Sequence, residues 1–232
     1  MQGLLDAALA NPWATLDRLI DGPLHPGGEA ATRDLLDRAG VGTGTRLLDV
    51  GCGAGAAVAL AAERGALAAG VDRDPGRVEG RALRGDAAQL PVADGSVDVV
   101  LSECVLCLTD LNRSLADIER VLAPGGRLAL SDVVVADEAP EIPDRLATAL
   151  CLTGARSRAD LRGHLADAGF EVQDVRDHRE DLLAMRDDIG VDYEGLLGAM
   201  GERGRRARDA IADLETAVED GRVSYVSVVA TV

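Results

Sequence analysis

The chain has 232 residues, of which 47% are hydrophobic, enough to bury a full core and to exclude global disorder. Forty acidic residues against 24 basic ones give a formal charge of −16, which repels nucleic-acid phosphates and anionic lipid and argues against both as partners. Aromatic residues make up only 2% (Trp13, Phe170, Tyr193 and Tyr225), too few for a site built on base or sugar stacking.

The first 27 residues read as a short helical lead-in ending in the loop Gly22-Pro23-Leu24-His25-Pro26-Gly27-Gly28. Asp6 and Asp17 within Met1–Ile20, with no basic start, argue against a signal peptide. A helix is expected over Glu29–Arg38. Strand Arg46–Val50 then runs into Gly51-Cys52-Gly53-Ala54-Gly55, and the alanine-rich run to Arg64 is a strong helix former. That run holds the longest apolar stretch, Ala56–Ala62, too short to span a bilayer.

Leu67–Val71 reads as the second strand, with Asp72 after it, and a short strand should precede Gly85-Asp86. Val97–Leu101 reads as the next strand, ending near Ser102-Glu103. Leu111, Leu115, Ile118 and Leu122 have helical spacing, and Pro124-Gly125-Gly126 should stop that helix and turn the chain into strand Arg127–Val134. A break at Pro140 and Pro143 precedes helices toward Leu152 and over Ser157–Ala168, strand Phe170–Val175, two more helices, and a final strand Val223–Val232. Alternating strands and helices predict an α/β fold with a mostly parallel sheet covered on both faces. The two late strands should form an antiparallel edge on it. No repeat or linker divides the chain, so residues 1–232 read as one domain: lead-in or lid 1–28, core 29–135, and acceptor-side and edge segment 136–232.

A strand, a glycine-rich loop and a helix in succession let backbone approach a ligand and present free N–H groups at the helix start. Gly51-x-Gly53-x-x-Ala56 with Asp72 also satisfies the loose dinucleotide fingerprint. Three outcomes stand at this point: a tight turn without ligand, a nicotinamide dinucleotide, or another adenosyl cofactor.

The order of segments narrows the choice. Asp49-Val-Gly51-Cys-Gly53-Ala-Gly55, Asp72, Gly85-Asp86-Ala87, Leu90–Val100 and Arg120–Leu128 resemble, in sequence order, the motifs of class I S-adenosylmethionine (SAM)-dependent methyltransferases of the methyltransferase type 11 kind. The resemblance implies a Rossmann-like seven-stranded sheet, six strands parallel and one antiparallel, with SAM as cofactor and S-adenosylhomocysteine as product. It implies that Gly51, Gly53 and Gly55 leave room for the methionine part and that Asp49 supports the loop or the amino group. Asp72 would accept from both ribose hydroxyls, Asp86 beside Ala87 would accept from the adenine amino group, and Ser102 and Glu103 would face the methionine and the acceptor. The bland readings are an exposed turn for Asp72 and a helix cap for Asp86. The Pro-Gly-Gly turn and the Gly-Asp pair disfavour an NAD-dependent oxidoreductase, the rival enzyme. A non-catalytic SAM-binding protein is the rival of another class.

Ser102-Glu103-Cys104-Val105-Leu106-Cys107 and Cys151-Leu152-Thr153-Gly154-Ala155 resemble stretches of arsenite methyltransferases and their relatives, in which Cys151 matches a thiolate that binds trivalent arsenic. The sequence departs from that branch in having no cysteine after Cys151 and no extra one just after the glycine loop. The leading expectation is therefore methyl transfer to a small-molecule acceptor, held under residues 13–28 and 140–200. A metalloid or thiol acceptor at Cys104 and Cys151 is the alternative, and no metal is otherwise expected. Packing is the bland reading of all four cysteines, and Cys104-x-x-Cys107 is only half a zinc or redox motif. Four cysteines without a signal segment point to reduced thiols in the cytoplasm. His25 is a candidate base or acceptor contact, whereas His164 and His178, among charged residues, read as surface. Arg203, Arg205, Arg206 and Arg208 read as a solvated helix face. Nothing in the sequence sets an oligomeric state.

Overall fold

The computed structural model describes residues 25–74, 81–136, 142, 144–188, 198 and 201–232. Seven strands make one sheet: β1 Arg46–Val50, β2 Leu67–Asp72, β3 Ala82–Arg84, β4 Val97–Glu103, β5 Leu122–Val135, β6 Glu171–Asp177 and β7 Val223–Thr231. Their order is β3-β2-β1-β4-β5-β7-β6. The first five run parallel, and β7 is antiparallel to both β5 and β6. β6 therefore runs with the first five, and β7, between β5 and the edge strand β6, is the one antiparallel strand of the sheet.

Strand alternation decides which helices cover which face. Leu47, Val99, Leu101 and Ala129 pack with helix α1 (Gly28–Arg38) and helix α2 (Ala56–Glu63) through Leu35, Leu36, Leu60 and Ala61. Leu48, Val50, Val100, Leu128 and Leu130 point the other way, toward helix α3 (Leu111–Val121) and a later helix, α5 (Arg158–Asp167). Leu115 and Ile118 are fully buried there, each contributing about 1.5–3 kcal/mol through removal from water. A third apolar cluster gathers Val133, Cys151, Leu152, Val218, Val223 and Tyr225 at the carboxyl end of β5. Three further α-helices lie in the described chain, α4 Asp144–Ala149, α6 Arg179–Asp188 and α7 Glu202–Glu219, with a single 3-10 turn at Leu106–Leu108.

Local chemistry explains the boundaries. Asp110 caps α3 by accepting from the Arg113 N–H, and Ser157 caps α5 by accepting from that of Asp160. Arg120 ties down the segment before β4: its guanidinium donates to Asp117, Asp94 and the carbonyls of Leu90 and Val92.

Pro124-Gly125-Gly126 does not separate α3 from β5 as expected. The strand begins at Leu122, which pairs with Val97, and the next pairing is Arg127 with Val99. The extra residues bulge between those pairings, with Gly125 at φ 74° and no room for a side chain at Gly126, where a Cβ would lie 2.8 Å from the Ala123 carbonyl oxygen. The lead-in through Leu24, including Trp13, lies outside the described residues, as do Tyr193 and most of the break at residues 137–143. No described helix is long and apolar enough to cross a membrane.

Candidate cofactor and acceptor site

The carboxyl ends of β1, β2 and β4 converge on the glycine loop that opens α2. Gly51, Gly53 and Gly55 all take positive φ (80°, 48° and 83°), which L side chains adopt at a cost. Their roles differ. A Cβ on Gly51 would lie 2.1 Å from a Val105 methyl carbon, so this glycine lets the loop close on the segment after β4. A Cβ on Gly53 would meet open space, so here the backbone itself is exposed to any ligand. The Gly53 N–H donates to Asp72 at 3.0 Å, and the second Asp72 oxygen accepts from the Asp74 N–H at 2.8 Å.

Asp86 follows β3. One oxygen accepts from the Ala88 N–H and the other from Arg73, which together hold its carboxyl below the usual range. This is a side-chain-closed turn and not a helix cap, since no helix follows Asp86, and it fixes the carboxylate in place. Ala87 beside it is buried.

Asp49 is buried near the end of β1, and among the described residues no hydrogen bond reaches its carboxylate. Burial, with Glu103 and Asp72 nearby, pushes it up to about 8. The Ser102 hydroxyl is also buried and lacks a partner among the described residues. Buried groups of this kind are costly to leave unmet, and they mark where a polar ligand would be gained. The donor set suits SAM, a ligand with an ammonium, a sulfonium and a diol: carboxylates at three strand ends, an open glycine and an orphan hydroxyl.

Alternation along β4 puts Val99, Leu101 and Glu103 on the face covered by α1. There both Glu103 oxygens accept from the Thr32 hydroxyl on α1, at 3.3 and 3.0 Å. His25 Nε2 lies 3.0 Å from the same hydroxyl and 3.4 Å from Glu103 Oε1, while Nδ1 donates to the Pro26 carbonyl at 3.1 Å. Burial lowers the His25 pKa, but the hydrogen bond and charge of Glu103 outweigh it and the net shift is upward. With the ring protonated, Nε2–H donates toward Thr32 and Glu103, and the Thr32 hydroxyl is free to donate to Glu103. Thr32 was not anticipated from sequence, because one threonine on an amphipathic helix carries no signal of its own.

The cysteines divide. Cys52 packs on Gly70, where a Cβ would meet its sulfur at 2.4 Å, and burial pushes its thiol up to about 12. Cys104, Cys107 and Cys151 gather beyond β4 and around Asp132 of β5. The donor atoms of Cys104, Cys151 and Asp132 all lie within 4.8 Å of one another. Asp132 accepts from the Cys107 N–H at 2.8 Å, and burial raises its carboxyl to about 6. A hydrogen bond with Cys151 and burial hold Cys104 well above the ordinary thiol value. Asp132 was also missed, although an acid inside the apolar run Leu128–Val135 was the available sign.

His178 is not a surface residue. Its side chain is 13% exposed, with Nδ1 against Asp181, Nε2 2.7 Å from Ser227 and the ring edge-on to Tyr225. Antiparallel pairing of β6 with β7 draws it inward, a long-range contact that neighbouring charges in the sequence do not reveal. His164 bonds Asn112 at the surface, and Arg205 and Arg206 lie exposed on α7 as expected.

The comparisons agree with this geometry. A family described as a methyltransferase domain matches residues 48–130. The methyltransferase GfsG of Streptomyces halstedii is 33% identical over 202 residues, covering 78% of this chain and 73% of that one. An arsenite methyltransferase of Halobacterium salinarum is 36% identical over 74% of this chain, which spans 49% of that relative's length. Among solved structures, Haemonchus contortus phosphoethanolamine N-methyltransferase 2 in complex with SAM superposes with a TM-score of 0.70 at 20% identity, covering 96% of this chain and 57% of that one.

Proposed function

The chain belongs to the class I SAM-dependent methyltransferases, related to the arsenite methyltransferase branch, and on that premise we propose that it methylates a small organic acceptor beside Glu103. The observation that carries this reading is the buried Glu103–Thr32–His25 network at the end of β4, next to Asp49 and the glycine loop.

We assign cofactor binding to Asp49, Gly51, Gly53, Gly55, Asp72, Asp86, Ala87 and Ser102. Bound SAM supplies a methyl group already activated by its sulfonium, so the protein's work is alignment, exclusion of water and handling of one proton. Asp49 and Asp72 offer charge to the ammonium and to the ribose diol. Glu103 is the catalytic residue, because in the paired state it is the group with a lone pair to accept the acceptor's proton. His25 and Thr32 are positioning residues that hold the carboxylate in one rotamer. The whole chain is assigned to one domain; of the segments expected to cover the acceptor, residues 13–24 and 189–197 lie outside the described residues.

A second reading has its own support: Cys104 and Cys151, far apart in sequence, come together beside this site. In that reading a thiophilic acceptor such as arsenite is held by their thiolates.

Titration calorimetry of reduced protein with SAM, S-adenosylhomocysteine and NAD, followed by mass detection of methyl transfer to phenolic, amine and arsenite acceptors, separates the readings. Adenosyl-ligand binding with organic turnover that falls at least tenfold in Glu103→Gln supports the first. Arsenite turnover lost in Cys151→Ser supports the second. Binding of NAD alone overturns both.

A further inference from the structure

We propose that Cys104, Cys151 and Asp132 form a site for a resident soft divalent cation of the zinc–cadmium class. The inference rests on the organic-acceptor reading, in which these thiols do not hold the substrate.

Three observations separate this cluster from ordinary core packing. First, the donor atoms of the three residues, from three different segments, lie within 4.8 Å of one another. A tetrahedral ion with metal–sulfur bonds of about 2.3 Å places its ligands about 3.8 Å apart, so closure needs movements of about 1 Å or less. Second, among the described residues Cys104 (φ 56°) and Cys151 (φ 59°) are the only non-glycine residues at positive φ. A small apolar side chain gains nothing from that backbone strain, and a residue whose sulfur must point at a shared centre does. Third, Asp132 is a buried carboxylate held at both oxygens by backbone, from the Cys107 N–H at 2.8 Å and the Val133 N–H at 3.2 Å. Those bonds orient it as second-sphere groups orient a metal ligand, and they leave lone pairs free.

The surroundings are arranged to bring the segments together. A Cβ on Gly154 would lie 1.9 Å from the Cys107 carbonyl oxygen, so only glycine allows the turn after Cys151 to seat against Cys107. Burial favours a neutral assembly, and a divalent ion with two thiolates is neutral. The remaining charge on Asp132 is faced by Arg156. Binding breaks two S–H bonds and forms two metal–sulfur bonds and one metal–oxygen bond to Asp132, with two protons passing to solvent and no electron transfer.

The test is titration of the reduced whole chain with cadmium ion, in a phosphine reductant, following the ultraviolet thiolate-to-metal band. Proton release and S-adenosylhomocysteine binding are measured on the same samples. One ion per chain with about two protons released, and affinity reduced at least tenfold in both Cys104→Ser and Cys151→Ser but not in Cys52→Ser, is the expected result. Asp132→Asn, which preserves shape, should weaken binding without loss of the band. No band in the wild-type chain, or unchanged affinity in both serine variants, overturns the site and leaves the methyltransferase assignment standing. Arsenite methylation that depends on Cys151 also overturns it, by giving these thiols to the acceptor.

Discussion

His25 Nε2 stands 3.4 Å from Glu103 Oε1, joining the chain just before α1 to the carboxyl end of β4, with both side chains buried. Because the folded-state pKa of His25 is raised above 6.5, the pairing contributes its full stability below that value and loses it as pH rises through the shifted one. Removing it in His25→Gln should cost about 2 kcal/mol at low pH, the scale of a charged hydrogen bond. Urea unfolding from about pH 6 to about pH 9 should show wild type and variant converging as pH rises. A gap that widens instead would mean that His25 is neutral in the folded chain.

Asp49 adds a second pH dependence of the same sign for a different reason. Burial raises its carboxyl from 3.8 to about 8, so between those values the folded chain keeps a proton that the unfolded chain has lost. Stability of the free protein should therefore fall as pH rises across that window, and Asp49→Asn should flatten the slope. If Asp49 meets the cofactor's ammonium, binding ionises it. SAM binding near neutral pH should then release close to one proton in wild type and none in Asp49→Asn, read from calorimetric enthalpies in buffers of different ionisation heat.

These two carboxylates also show what a sequence carries. Asp49 stands in the glycine motif, and Glu103 at the end of a clear apolar strand, so both were legible as candidates. Contacts between distant segments were not. Thr32 reaches Glu103 across 71 positions and His178 reaches Ser227 across 49, through packing of α1 on the sheet and antiparallel pairing of β6 with β7. Local patterns fixed the period and ends of elements, which is why the β/α alternation was readable on both sides of the bulge at Gly125. They do not encode which helix lies over which strand end, and the acceptor side of the site depends on that.

The glycines of the loop should separate folding from binding. Gly51→Ala places a Cβ 2.1 Å from a Val105 methyl carbon as well as straining a φ of 80°. Strain and overpacking together should cost about 2–5 kcal/mol. Gly53→Ala strains the backbone by about 1–2 kcal/mol but meets no atom. Thermal melts should show the larger loss in Gly51→Ala. Gly53→Ala should keep most of its stability yet bind S-adenosylhomocysteine at least tenfold more weakly, because its methyl occupies the space left open. Equal affinity in Gly53→Ala and wild type would move the ligand away from this loop.

Asp72→Asn tests the ribose contact at the end of β2. The variant keeps one oxygen for the Gly53 N–H and gives up only the exposed bond from the Asp74 N–H, so the loop should hold and the melting temperature should change little. Its affinity for S-adenosylhomocysteine should fall by about tenfold to a hundredfold, the equivalent of the roughly 1.5–3 kcal/mol carried by hydrogen bonds to a charged group. Weakening of that size without loss of stability would identify Asp72 as a ligand contact; an unchanged affinity would return it to the role of an exposed turn residue that merely closes the loop.

Gly154 and Gly163 make the last contrast, since neither has a positive φ, and one lies in a crowded turn and the other in an open helix position. At Gly154 an added Cβ would lie 1.9 Å from the Cys107 carbonyl, a backbone atom that cannot swing away. Gly154→Ala must therefore push the Cys151 turn off the β4–α3 connection, separating Cys151 from Cys104 and Asp132. Its melting temperature should drop by several degrees, about 2–4 °C for each kcal/mol lost. Gly163 sits in α5 with no atom within 4 Å of the same position. There alanine replaces a poor helix former and restricts the unfolded chain, so Gly163→Ala should gain about 0.5–1 kcal/mol. Differential scanning calorimetry of the two variants should therefore move in opposite directions. A Gly154→Ala melt equal to wild type would show that the turn does not depend on this close approach.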